Sequence, residues 1–116
     1  MLLLMRDPRL QIHPEVERTD LPDILTYIAA DNPLAADEVY EATREAFDFL
    51  AANTAVGTAM HPVRRTLRGI RMFPVTAYPN YLIYYRPLPD NTGVRILYVL
   101  NAARDAATYV HEQPRQ

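Results

Sequence analysis

The feature that most constrains this chain is a succession of three β-type runs in its last third, residues 67–75, 81–86 and 94–100. Branched and aromatic side chains dominate all three, which suits a pleated, half-buried surface. Between them stand Ala77-Tyr78-Pro79-Asn80 and Leu88-Pro89-Asp90-Asn91-Thr92-Gly93. Both connections are turn-rich and short enough for antiparallel hairpins. On the last run Val94, Ile96, Tyr98 and Leu100 alternate with Arg95, Leu97, Val99 and Asn101, so neither face is purely polar. One face is expected to pack on helices. The other needs cover from a second chain, from the tail or from aromatic side chains leaning over it.

The helices are expected in the preceding half. A short strand is placed near residues 10–16, with Leu10, Ile12 and Val16 alternating. Asp20 then stands where an N-cap belongs, Pro22 and Asp23 fall in a first turn, and Leu21, Ile24, Leu25 and Ile28 follow at helical spacing. Helix one is therefore expected over 21–30. Asn32 caps a second helix that has Pro33 at its first position and Asp37 and Glu38 near the positive end of its dipole. Val39, Ala42, Ala46, Phe49 and Leu50 make its apolar stripe, and it should end near Asn53. With only Asp31 and Asn32 between them, the helices should form an antiparallel hairpin. Residues 54–66 read as a loop. The whole is α+β: an N-terminal strand, a helix hairpin packed on a small, mainly antiparallel sheet, and a short C-terminal tail.

Length sets one domain. A chain of 116 residues buries roughly two-thirds of its unfolded surface on folding, and the single domain is placed at 10–116. The apolar opening Met1-Leu2-Leu3-Leu4-Met5 is ended by Arg6, Asp7 and Pro8, too early for a signal core or a membrane span, so residues 1–9 read as a loose extension. There is no cysteine, and His13, His61 and His111 are scattered. No disulfide, metal or organic cofactor is expected, and a reducing cytoplasm fits.

Charge divides the chain. Residues 1–59 hold eleven acids and four arginines, whereas 60–116 hold eight arginines and three acids. Lysine is absent, which favours bidentate contact with phosphate or carboxylate and removes lysine from any catalytic scheme. A GC-rich coding sequence would give the same bias. Arg64, Arg65, Arg68 and Arg71 have two readings, a target-binding edge or solvated cations with apolar stems on the sheet. Tyr81, Tyr84, Tyr85 and Tyr98 are either a stacking platform for bases or core aromatics. His111 is either a base or a solvated tail residue.

Three pieces together carry a family resemblance. Asp20-Leu21, Tyr27-Ile28-Ala29 and Asp31-Asn32-Pro33 with Ala35-Ala36 resemble the helix hairpin of ParE-type toxins in the RelE/ParE superfamily. Residues 68–75, the strand 81–86 and the closing Val99-Leu100-Asn101-Ala102-Ala103-Arg104-Asp105 are similar to that family's sheet and terminal signature. The resemblance covers about residues 10–110. Histidine is usual at the position of Asn101 and glycine at that of Ala102, and the chain departs at both.

The resemblance implies the toxin of a type II toxin-antitoxin module, a plasmid stabilisation protein whose release arrests growth. ParE proteins hold the cleavage complex of DNA gyrase, and inhibition of gyrase is the first expectation. RelE proteins instead cut messenger RNA in the ribosomal A site, which would make the chain an endoribonuclease with Arg86, Arg104 and Tyr109 at its site. A degenerate, non-toxic binding module is the third. Target contact falls to Arg64, Arg65, Arg68, Arg71, Arg86 and Arg104. The implied partner is a ParD-like antitoxin, received on Ile24, Tyr27, Ile28, Val39 and Tyr40, with an acidic segment facing the arginine-rich half.

Overall fold

A computed structural model describes residues 7–62, 65–103 and 114–116. Strand β1 (Leu10–Ile12) leads through a wide helical turn (Val16–Asp20) into α1 (Leu21–Ala29), and α2 (Pro33–Ala52) follows. Strands β2 (Thr58–Ala59), β3 (Arg71–Val75), β4 (Tyr78–Pro87) and β5 (Val94–Asn101) complete the chain. The sheet runs β1-β5-β4-β3-β2, with β1 parallel to β5 and the other pairs antiparallel. The expected α+β architecture is present, with the helix hairpin on one face of the sheet. Among the described residues no helix is long and apolar enough to cross a membrane.

Several boundaries differ from the sequence reading, each for a physical reason. The first strand stops at Ile12, not Val16. His13 N–H makes the last ladder bond, to Ile96 O at 2.9 Å, and Val16 N–H turns back to His13 O. Pro14, with its fixed φ, suits the helical start that follows. Asp20 is not an N-cap, because the chain is already helical there. Leu21 N–H reaches back five residues to Val16 O, and the Asp20 side chain makes no capping bond.

Asn32 does cap α2, its side chain accepting from Ala35 N–H at 3.1 Å. The buried stripe of α2, however, runs Ala36, Val39, Thr43, Ala46, Phe47, Leu50, Ala51. Phe47 is fully buried while Phe49 is 45% exposed and stacks on Phe73. Thr43 conceals the true stripe in the sequence. It is polar, yet it satisfies itself by donating its hydroxyl to Val39 O at 2.7 Å.

The run 67–75 becomes strand only at Arg71, after a 3-10 turn at Arg65–Leu67 and Gly69 at φ 80°. The expected loop 54–66 contains the edge strand β2. The largest correction concerns β5. Tyr84 pairs with Tyr98 but Tyr85 with Ile96, so Leu97 is an extra residue, a β-bulge. The bulge shifts the alternation. Val94, Ile96 and Val99 face the helices with Ile83 and Tyr85, whereas Leu97, Tyr98 and Leu100 join Tyr84 on the opposite face. That second face is covered by the chain itself, through Leu67 and Ile70 and through Arg115, whose guanidinium lies 4.4 Å from the Tyr98 ring centre.

Candidate functional site

The sheet face turned away from the helices carries Arg86 and Arg95. On β4, Arg86 alternates with the helix-facing Tyr85, and on β5 Arg95 alternates with Val94 and Ile96, so both arginines share the outer face. They stand directly opposite one another in the ladder. Arg86 Nη1 donates to Arg68 O at 3.2 Å, and Arg95 Nε to Gln116 O at 2.8 Å. Gly69 makes the first contact possible. A Cβ there would lie 2.4 Å from Arg86 Nη1.

Arg115 closes the open edge of β5 beyond β1. Its Nη1 reaches Asp20 Oδ2 at 2.7 Å and Leu97 O at 3.0 Å, and its N–H donates to Tyr98 Oη at 2.8 Å. Asp20 Oδ2 also accepts from Val99 N–H at 3.1 Å. A buried ion pair of this kind is held by its extra hydrogen bonds, without which desolvation would cancel the attraction. This node borders a cleft of about 550 Å³ between the start of α1 and the end of β5, lined by Asp20, Asp23, Ile24, Tyr27, Val99 and Leu100 among others.

His13 lies beside these cations. Its Nδ1 accepts from Glu15 N–H at 3.0 Å. Burial pushes its titration below the ordinary histidine range, and the charges of Arg115 and Arg95 push it the same way.

The expected site residues are dispersed. Arg65 and Arg68 are exposed, next to the sheet face that Arg86 occupies. Arg71 lies instead on the helix side, where its Nη1 donates to Gly57 O at 2.5 Å and ties down the loop after α2. Arg64, Arg104, Tyr109 and His111 lie outside the described residues. Asn101, at the position where histidine is usual, accepts from Ala103 N–H at 2.9 Å and turns the chain after β5.

Among the tyrosines the core reading holds for Tyr84, Tyr85 and Tyr98, each under 10% exposed. The Tyr85 hydroxyl accepts from Gly57 N–H and donates to Thr54 O, both at 2.9 Å. Burial raises its pKa. Among the residues expected to receive an antitoxin, Ile24 and Val39 are only 3% and 4% exposed and belong to the core. Ile24 packs in the cluster between the helices and the sheet. Ile28 is half-buried, while Tyr27 is 66% and Tyr40 38% exposed. Tyr40 also lines a smaller pocket between the helices, of about 190 Å³, with Leu25, Arg44 and Phe47.

Arg95 and Arg115 were not singled out from the sequence. Arg95 was legible in principle, since a hairpin closed by residues 88–93 sets 87 against 94 and 86 against 95. No local signal distinguishes Arg115. Among the described residues no group of histidine and acidic side chains could hold a metal ion. Chemically, the outer face is equipped to hold and orient anionic groups. Residues 10–106 match the family model described as the ParE toxin of the type II toxin-antitoxin system, parDE. No curated protein matches the chain.

Proposed function

From the premise that this chain belongs to the ParE toxin family of type II toxin-antitoxin systems, we propose that it arrests growth by inhibiting DNA gyrase and is neutralised by a ParD-like antitoxin. The observation that carries the reading is the extent of the family match, which takes in the helix hairpin and every strand of the sheet. The two surfaces of the molecule support a division of labour. Exposed Tyr27 and Tyr40 and half-buried Ile28 form the antitoxin contact on the hairpin. Aromatic side chains of this kind are frequent anchors of protein interfaces. Arg65, Arg68 and Arg86 form the target contact on the sheet side, with Arg64 next to Arg65 in sequence and Arg104 three residues after the end of β5.

The test is pulse incorporation of labelled thymidine and methionine within minutes of inducing the chain without its antitoxin in bacterial cells. DNA synthesis should fail first, and co-expression of the antitoxin should restore it. Earlier failure of protein synthesis would replace gyrase inhibition with ribosome-dependent cleavage of messenger RNA. Unchanged incorporation of both labels would leave a non-toxic binding module.

A further inference from the structure

We propose that the antitoxin segment received on the helix hairpin is basic and amphipathic, with one large apolar side chain seated in the pocket between α1 and α2. The inference rests on the reading of the hairpin as the antitoxin contact and adds the chemistry of the partner. Residues 21–52 hold seven acids and a single base, Arg44. All seven carboxylates are exposed, and among the described residues none forms an ion pair. Asp37, Glu41 and Glu45 follow one another on α2 at four-residue spacing, where like charges destabilise a helix. None of these acids lies in the first turn of α2, so the favourable end of the dipole does not compensate.

The helix does not relieve this charge itself. Arg44 stands three residues after Glu41 and four before Asp48, both pairing distances on a helix. It pairs with neither and lines the pocket instead. Its neighbours there include Leu21, Leu25 and Phe47, which are buried or half-buried, and the exposed Tyr40 and Glu17. At about 190 Å³ the pocket is smaller than the roughly 300–1,000 Å³ of small-molecule sites. It suits a single apolar side chain, the kind of anchor around which protein interfaces are built. Tyr40, 38% exposed, joins the two features, because it lines the pocket and lies one turn from Asp37 on the acidic row. A segment seated there is flanked by carboxylates, and positive charge complements them.

Binding to the full chain would be followed by fluorescence anisotropy with two labelled amphipathic helical peptides of one leucine pattern, their polar face lysine in one and glutamate in the other. Circular dichroism would first establish that each variant is folded. The lysine peptide should bind the wild type and the glutamate peptide should not. Tyr40→Ser should weaken the lysine peptide roughly tenfold, the effect of losing one interface anchor. Asp37→Asn, Glu41→Gln and Glu45→Gln combined should weaken it as much and flatten its dependence on ionic strength. Asp90→Asn, on the turn before β5, is the control for bulk charge and should leave binding at the wild-type value. Equal binding of both peptides, no binding of the lysine peptide, or lysine-peptide binding indifferent to Tyr40→Ser would overturn the proposal.

Rescue of growth by the co-expressed antitoxin separates this inference from the reading beneath it. Loss of rescue in both Tyr40→Ser and the neutralised variant supports the two together. An antitoxin that fails to rescue cells making Tyr40→Ser, yet fully rescues those making the neutralised variant, keeps the hairpin as the antitoxin contact and overturns the basic chemistry. Full rescue of both variants places the antitoxin elsewhere on the toxin and overturns the hairpin reading itself.

Discussion

At the scale of single residues, function and fold share side chains whose partners lie far off in the chain. Tyr85 holds the loop after α2 through Gly57 N–H and Thr54 O, and a Cβ on Gly57 would approach the Tyr85 hydroxyl to 2.7 Å and Met72 O to 2.9 Å. Tyr85→Phe strands one backbone donor and one acceptor and should cost about 1–3 kcal/mol. Gly57→Ala forces tyrosine and backbone apart and should cost a similar amount, about 1–3 kcal/mol. Urea unfolding of the two variants checks both. None of this was legible locally, because a glycine in a loop has the same appearance whether it provides a turn or makes room for a distant ring. Asp20 makes the same point more sharply. Next to Leu21 and Pro22 it has every mark of an N-cap, yet its carboxylate is engaged by Val99 N–H and by Arg115. The competing partners are 79 and 95 residues away, and no window along the sequence contains them.

At the scale of elements, what the sequence showed well was whatever rests on period and punctuation. Asn32-Pro33 begins α2, residues 88–93 make the last hairpin, and the helix one expected over 21–30 is Leu21–Ala29. Phase was harder to read. Thr43 sits in the apolar seam of α2, so a count of apolar residues alone selects Phe49 over Phe47. The structure makes a quantitative distinction between them. Phe47→Ala should cost about 3–5 kcal/mol, the range for a fully buried ring, whereas Phe49→Ala should cost about 1 kcal/mol, the worth of one aromatic contact at a half-exposed site. Comparable losses for the two in chemical denaturation would contradict the assignment of the stripe. Leu97 shifted the phase of β5 for a different reason. A bulge inserts one residue without any compositional mark, and Leu97 is as apolar as its neighbours. The two-faced core is thus legible only in outline, whereas the pairing of Arg86 with Arg95 follows from the turn at 88–93 once that hairpin is recognised.

At the scale of the whole molecule, the charge division along the chain becomes a spatial one, with Arg86, Arg95 and Arg115 gathered about the second face of the sheet. His13 confers acid sensitivity, chiefly through its burial and secondarily through the charges of Arg115 and Arg95. Its folded pKa lies below that of the unfolded chain, so between the two values the unfolded state binds more protons and stability falls with falling pH. The contribution is fully present above the ordinary histidine value, about 6.5, and is lost as the pH drops through the lower, folded value. His13→Gln should therefore flatten the stability profile between neutrality and about pH 5, as followed by thermal unfolding in buffers of matched ionic strength. The parallel pairing of β1 with β5 has a kinetic consequence. Leu10 is laid beside Val94, so the sheet cannot close until nearly the entire chain is available. Contacts of such long span must overcome loop-closure entropy before they return any stability. Folding should accordingly be slow beside that of a helical protein of equal length. On the ribosome the first strand must wait, unpaired, for the last one to be made.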